Sequence, residues 1–353
     1  MPALLELRGL AGPGAEAARG ALAERLVGKL PSMSQQSLVE LSDQAESETL
    51  RRAVTAEVSR RLSLNTVTSI SALRRGEDLD NALALLSRWS AWLHEAGARE
   101  AAAASGEAPL VPADVLQRIV HLVADSLPAV LRQEPSAARR RLVETASAFS
   151  TLEPGDALPL GPLRQGLHEE AGRSSAPWEP PAAAELAFGL AAAHGGSLSL
   201  DVAARLWRLV GGLGAETQSL PGPLAAKLWA FGLVVRHLIS GTARAALRMA
   251  EEAPGAEALL GRLEAQREAR FPLTDDPAAQ ALLERLRPAL PEAVPGGHWD
   301  EQFTVPATPY VVDLALGERK LLLVVPRAEH RAAAGPGLSG AARLMERTLA
   351  AMG

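Results

Sequence analysis

The chain has 353 residues, a net charge of −5 and a pI near 5.9, with 47% hydrophobic but only 3% aromatic residues. That charge excludes a globally basic nucleic-acid binder and leaves room only for a local basic face. The absence of cysteine excludes disulfides, thiolate zinc sites and cysteine nucleophiles.

Residues 1–30 read as an N-terminal extension, with a Gly/Pro break at Gly9–Gly14 and a helical stretch from Ala15 to Leu30. Its acids, Glu6, Glu16 and Glu24, alternate with Arg8, Arg19, Arg25 and Lys29, whereas a mitochondrial presequence is poor in acids. Residues 31–290 read as an α-helical region. Pro31 to Ser34 is a helix start with Ser34 as cap, and Leu38, Leu41, Ala45, Leu50, Val54 and Val58 then recur at helical spacing. Arg60, Arg61, Arg74 and Arg75 are expected on a solvated face. Glu77–Ala96 is a further helix carrying Trp89 and Trp92, and Gly97–Pro112 reads as a loop or linker.

Helices are expected over Ala113–Leu127, ended by Pro128 or Pro135, over Ser136–Leu152, and as a short piece over Arg164–Ala171. Glu153–Pro162 and Arg173–Pro181 read as connectors. A repeat then emerges: shifting the chain by 43 residues lays Pro180 on Pro223, Phe188 on Phe231 and Gly189 on Gly232. A fainter copy at Ala148-Phe149 lies 39 residues earlier. Spacings near forty are the mark of stacked helix pairs, in which each unit buries its apolar face on the next. Leu198–Val210 supplies the second helix of the clearest unit. Ala243–Ala253, Ala256–Arg270 and Ala278–Leu290 are further helices, the last capped by Asp275 or Asp276.

Residues 291–298 read as a linker. Beyond it the pattern changes over 299–353. Pro309–Leu316 and Lys320–Val325 are apolar runs split by a Gly317-Glu318-Arg319 turn, which predicts a β-hairpin covered on both faces. Leu338–Met352 is a closing amphipathic helix with Leu344, Met345, Thr348 and Leu349 inward.

Several motifs bear on chemistry. Gly335-Pro-Gly337-Leu-Ser-Gly340 has G-x-G-x-x-G spacing, but about nine residues separate it from the strand and no βαβ unit follows, so it reads as a loop. The seven histidines show no metal-ligand spacing. Trp207, Trp229, Phe149, Phe188 and Phe231 sit in apolar helical runs and read as core rather than as a base-stacking platform. Of the 36 basic residues 33 are arginine, and Arg139, Arg140 and Arg141 are consecutive. These three could line an RNA groove. Asp313 is an acid inside an apolar strand, costly unless paired. Lys320, Arg327 and His330 are its candidate partners, and no second carboxylate stands on the next strand for two-metal hydrolysis.

Tyr310-Val-Val-Asp313-Leu-Ala-Leu316, the following apolar strand, His330 and the helix ending Leu349-Ala-Ala-Met-Gly353 together resemble the RAP domain. That module stands at the C-terminus of organellar RNA-metabolism proteins such as the FAST-kinase-domain family and the octotricopeptide-repeat proteins, which also carry helical repeats. The resemblance implies a restriction-endonuclease-like α/β fold and RNA binding. It departs from the family at Val324, Pro326 and Arg327, where the acidic constellation is absent, and at Met345, where a basic residue is usual. The family's final, Trp-led strand is missing after Gly353.

The expectation is therefore a mostly α protein, a helical-repeat array with a period of about forty followed by a small α/β RAP-like domain at 299–353. It is expected to bind organellar transcripts or ribosomal RNA without catalysis, metal or cofactor. The contacts would come from Lys320, Arg327, His330, Arg331 and Arg139–Arg141, with Asp313 a vestigial site. Other RNA-processing proteins are expected partners, with no DNA and no membrane. Localisation would be mitochondrial, or plastid, by resemblance. The alternative is a protein-interaction scaffold, distinguished by a neutral or acidic rather than a basic groove on the array.

Overall fold

The computed structural model describes residues 21–65 apart from 46, 79–89 and 92, 113–152, 160–173, 178–196, 198–213, 220–266, 268–273, 275–295, 297–317, 320–325, 327, 330 and 338–352. They form a mostly helical protein with a small three-stranded antiparallel sheet near the C-terminus. The expected loop at Gly97–Pro112 and Arg331 lie outside the described residues, as do Arg74 and Arg75.

After a helical segment at 21–27, α1 spans Gln35–Gln44, α2 Glu48–Asn65 and α3 residues 79–89. Ser34 caps α1, its hydroxyl accepting the Ser37 N–H at 3.1 Å. Leu38, Leu41, Ala45, Leu50, Val54 and Val58 are all buried, as their spacing predicts. Helix α4 (Ala113–Gln133) runs through Pro128, and the break falls instead at Pro135, which opens a short 3₁₀ turn. Helix α5 spans Ala138–Ser150 and α6 Leu160–Arg173, the latter about two turns longer than the short piece expected. Then come α7 (Pro180–Ala193), α8 (Leu200–Gly211), α9 (Gly222–Leu233) and a π-helical turn at Val234–Ile239. They are followed by α10 (Ala243–Glu252), α11 (Ala256–Ala265) and α12 (Pro277–Leu286), where Asp276 accepts the Ala279 N–H at 3.3 Å.

Helices α5, α7 and α9 lie side by side in succession, while α6 packs on α4 and α8 on α10. Trp207, Trp229, Phe149, Phe188 and Phe231 are buried between these layers, so none presents a face to a base. The two glycines aligned by the repeat both sit at helix crossings, but against different neighbours. A Cβ on Gly189 would come within 2.8 Å of the Ala146 backbone on α5, whereas one on Gly232 would meet the Leu260 side chain on α11.

The sheet has the order β1-β2-β3. Strand β2 (Val311–Leu316) and β3 (Leu321–Leu323) form the expected hairpin, paired Leu316 to Leu321 and Leu314 to Leu323. Strand β1 (Asp300–Thr304) was not expected: it is polar and mostly exposed, and pairs antiparallel with β2 from Asp300–Ala315 to Thr304–Val311. The expectation of a sheet covered on both faces fails at β3, where Leu321 is 48% and Leu322 37% exposed.

Helix α13 (Gly340–Met352) closes the fold by docking on α7, the π turn and α5. The Gly340 N–H donates to Leu152 O at 2.9 Å, and a Cβ there would lie 2.4 Å from Ala192 O. The last glycine of the G-x-G-x-x-G string is thus needed for helix packing. Arg347 donates to Gly195 O at 2.7 Å. Phe271 packs between Phe188 of α7, tilted at 40°, and Tyr310, on which it stacks, with ring centroids 5.7 Å from each, and its N–H donates to Pro309 O at 2.8 Å. Tyr310 and Leu344 belong to the same apolar cluster as the helices, so residues on either side of the expected boundary at 291–298 share one core. Burial pushes the Tyr310 phenol pKa well up.

Candidate functional site

The residues singled out on the C-terminal segment come together behind β3. Asp313 lies mid-strand on β2, 1% exposed in its side chain, and is filled from two directions. Arg327 binds it bidentately, Nη2 to Oδ1 at 2.5 Å and Nη1 to Oδ2 at 3.0 Å, and the Val325 N–H adds a bond to Oδ2 at 2.8 Å. Arg327 Nη1 also donates to Val325 O at 3.1 Å, tying down the chain that leaves β3. The Arg327 side chain is only 4% exposed. Expected as an RNA contact, it is instead buried on Asp313, where a phosphate would have to displace a desolvated carboxylate to reach it.

His330 continues the knot. Its Nδ1 accepts the Arg327 N–H at 3.3 Å, which makes it the unprotonated nitrogen of the ring, and its carbonyl accepts the Ser339 N–H at 2.9 Å. Ser339 in turn caps α13 through the Ala342 N–H at 3.3 Å. One chain of bonds thus runs from the sheet through Asp313, Arg327 and His330 to the terminal helix.

Lys320 is exposed, with φ 51° at the end of the β2–β3 turn. It stands with His330 on a groove of about 450 Å³ between β3 and α13, lined otherwise by Leu322, Val324, Met345 and Leu349 among others. The sequence carried the signal for this groove, since Leu321-Leu322-Leu323 has no polar alternation. Without the neighbouring elements it read as a strand buried on both faces.

The arginines at 139–141 sort differently from one another. Arg141 is 3% exposed in its side chain and holds Asp80 at 2.8 Å and Glu134 at 2.8 Å, so it is an internal tie between α3, α5 and the turn before it. A phosphate would meet the same obstacle there as at Arg327. Arg139 binds Glu170 of α6 at 2.7 Å and covers the Trp178 ring at 4.9 Å. Arg140, 52% exposed, pairs with Asp80 at 2.9 Å and with Glu144 at 3.0 Å. Arg61, expected on a solvated face, reaches back to Leu30 O at 3.0 Å and Met33 O at 2.7 Å. With Arg60 it clamps Glu57, whose carboxyl is held at about 2, first by the hydrogen bond from Arg60.

Beside Arg140 lies a second groove, about 470 Å³, where α3, α5 and α7 meet. Asp80, Glu144 and Glu185 line it together with Arg140, so it is not a basic channel. Comparison with protein-family models, curated proteins and solved structures finds no match for this chain. Among the described residues no three His, Asp or Glu side chains gather as a metal ion would require, and no helix is long and apolar enough to cross a membrane.

Proposed function

We propose that this chain is a non-catalytic RNA-binding protein of organellar RNA metabolism, an array of stacked helix pairs carrying a RAP-like C-terminal unit. What supports the reading is that Asp313, His330 and α13, which carry much of the resemblance, are joined through Arg327 and the cap of α13 by one chain of hydrogen bonds, in which Arg327 neutralises the only carboxylate of β2. With Arg327 bidentate and the Val325 N–H on it, that carboxylate has its charge balanced inside the protein, and in this reading the unit binds rather than cuts. In this reading RNA is held on the helical body by exchange. Arg140, Arg208 and Arg248 are 52, 65 and 41% exposed, and their pairs with Glu144, Glu252 and Asp201 are of the surface kind that contributes about 0–1 kcal/mol. Phosphates can replace those carboxylates at little cost, which gives modest and salt-sensitive affinity.

Filter binding of a single-stranded RNA across a salt series tests this. Affinity should drop roughly tenfold between about 50 and about 200 mM salt, as for a few phosphate contacts. The triple substitution Arg140→Glu, Arg208→Glu, Arg248→Glu should abolish binding. Absence of binding at the lowest salt, or binding indifferent to salt, sinks the reading. One observation favours the second reading, a protein-interaction scaffold: the acids Asp80, Glu144 and Glu185 line the groove between α3, α5 and α7. A wild-type chain that ignores RNA but binds a basic helical peptide through that groove would decide for it.

A further inference from the structure

We propose that the open edge of β3, with the groove between it and α13, binds an extended segment of a partner protein that is apolar at alternate positions and carries a carboxylate at the end beside Lys320. This goes beyond the RNA reading and does not depend on it.

The class of occupant follows from three features. First, among the described residues β3 is the edge of the sheet, paired with β2 alone. Its outer side offers ladder hydrogen bonds that an added strand can use and that a helix or a nucleic acid cannot. Natural edges are usually blunted by charge, proline, a bulge or shortness; this one is short and follows Lys320, but its own three residues, Leu321-Leu322-Leu323, are all apolar, with Leu321 and Leu322 exposed at 48 and 37%. Second, the groove faces one side of that strand. Lys320, Leu322 and Val324, two residues apart, all line it, and across from them stand Ala342, Met345 and Leu349 of α13. An added strand would place every second side chain against this apolar floor, whereas an RNA strand would bring a row of phosphates to it with only Lys320 and His330 to meet them. Third, the charge at the mouth is unbalanced. Glu346 is paired with Arg343 at 3.5 Å, while Lys320 makes no ion pair among the described residues. A carboxylate on the incoming strand completes it. A second copy of this chain, pairing β3 to β3, would bring Leu321-Leu322-Leu323, a run without alternation, so a different partner fits better.

The test is selection from a displayed library of random peptides of about ten residues, long enough to span an edge strand, on the full chain. The expected result is a consensus with apolar residues at alternate positions and Asp or Glu at one end. Fluorescence polarisation with the consensus peptide should show Leu322→Asp weakening binding by about tenfold or more. Lys320→Glu, reselected against the same library, should enrich Lys or Arg at the end where the wild type enriches acids. That inversion cannot arise from misfolding. Failure to enrich any consensus, or equal binding by wild type and Leu322→Asp, overturns the proposal. So does a concentration-dependent dimer in sedimentation that Leu322→Asp dissolves, since the occupant is then a second copy.

Discussion

The helical body and the C-terminal unit both use arginine–carboxylate pairs, but under opposite conditions. In the body, apart from the buried Arg141, several pairs tie neighbouring helices at the surface: Arg208 to Glu252 and Arg248 to Asp201 join α8 to α10, and Arg132 to Glu169 joins α4 to α6. Solvent screens them, and the helices are held by apolar packing beneath. In the C-terminal unit the Asp313–Arg327 pair is nearly dry and carries the join between sheet and terminal helix. The same two functional groups contribute little where solvent reaches them and act as structural ties where it does not, as at Arg141 in the body and Arg327 in the C-terminal unit, because desolvation makes each buried charge depend on its partner.

The largest expected effect tests the buried pair. Asp313→Ala leaves the Arg327 guanidinium buried without its counter-charge and should cost about 3–5 kcal/mol in urea unfolding. The double substitution Asp313→Leu, Arg327→Met should recover most of that loss. A single-mutant cost below about 1 kcal/mol would mean that solvent reaches the pair, and the contrast between the regions would collapse.

Next is helix packing in the body. Gly189→Ala drives a methyl into the Ala146 backbone and should cost about 1–3 kcal/mol, because backbone on α5 has to move. Gly232→Ala meets only the end of the Leu260 side chain, which can change rotamer, and should cost about half as much. Thermal unfolding of the two variants side by side measures this; equal costs would make the two crossings equivalent despite their different neighbours. The smallest effect is at the surface. Arg248→Gln should change stability by no more than about 0.5 kcal/mol, and a larger loss would show that the pair with Asp201 is more than decoration.

Much of the fold was legible because periodicity reports burial directly. Leu38 to Val58 lie inward as their spacing requires, and Phe149, Phe188 and Phe231 are core. The hairpin was legible from two apolar runs around Gly317. Strand β1 was not, since Asp300-Glu-Gln-Phe-Thr304 has no apolar alternation; it is a strand because β2 offers it a ladder. The candidate site was half legible. An acid in an apolar run announces a partner, and Arg327 was among the three named for Asp313. Charge alone, however, could not tell Arg141 from Arg140, adjacent in sequence, one 3% and the other 52% exposed.

The sequence by itself determined where helices run, where the chain turns to strand, and that Asp313 needs a counter-charge, because those depend on side-chain chemistry at short range. Only the tertiary structure decided which arginines remain open to a ligand, that β3 ends the sheet with its leucines exposed, and that Gly340 seats the terminal helix against Ala192. These depend on which distant segment comes to lie alongside, and desolvation and steric contact are properties of that neighbour as much as of the residue itself.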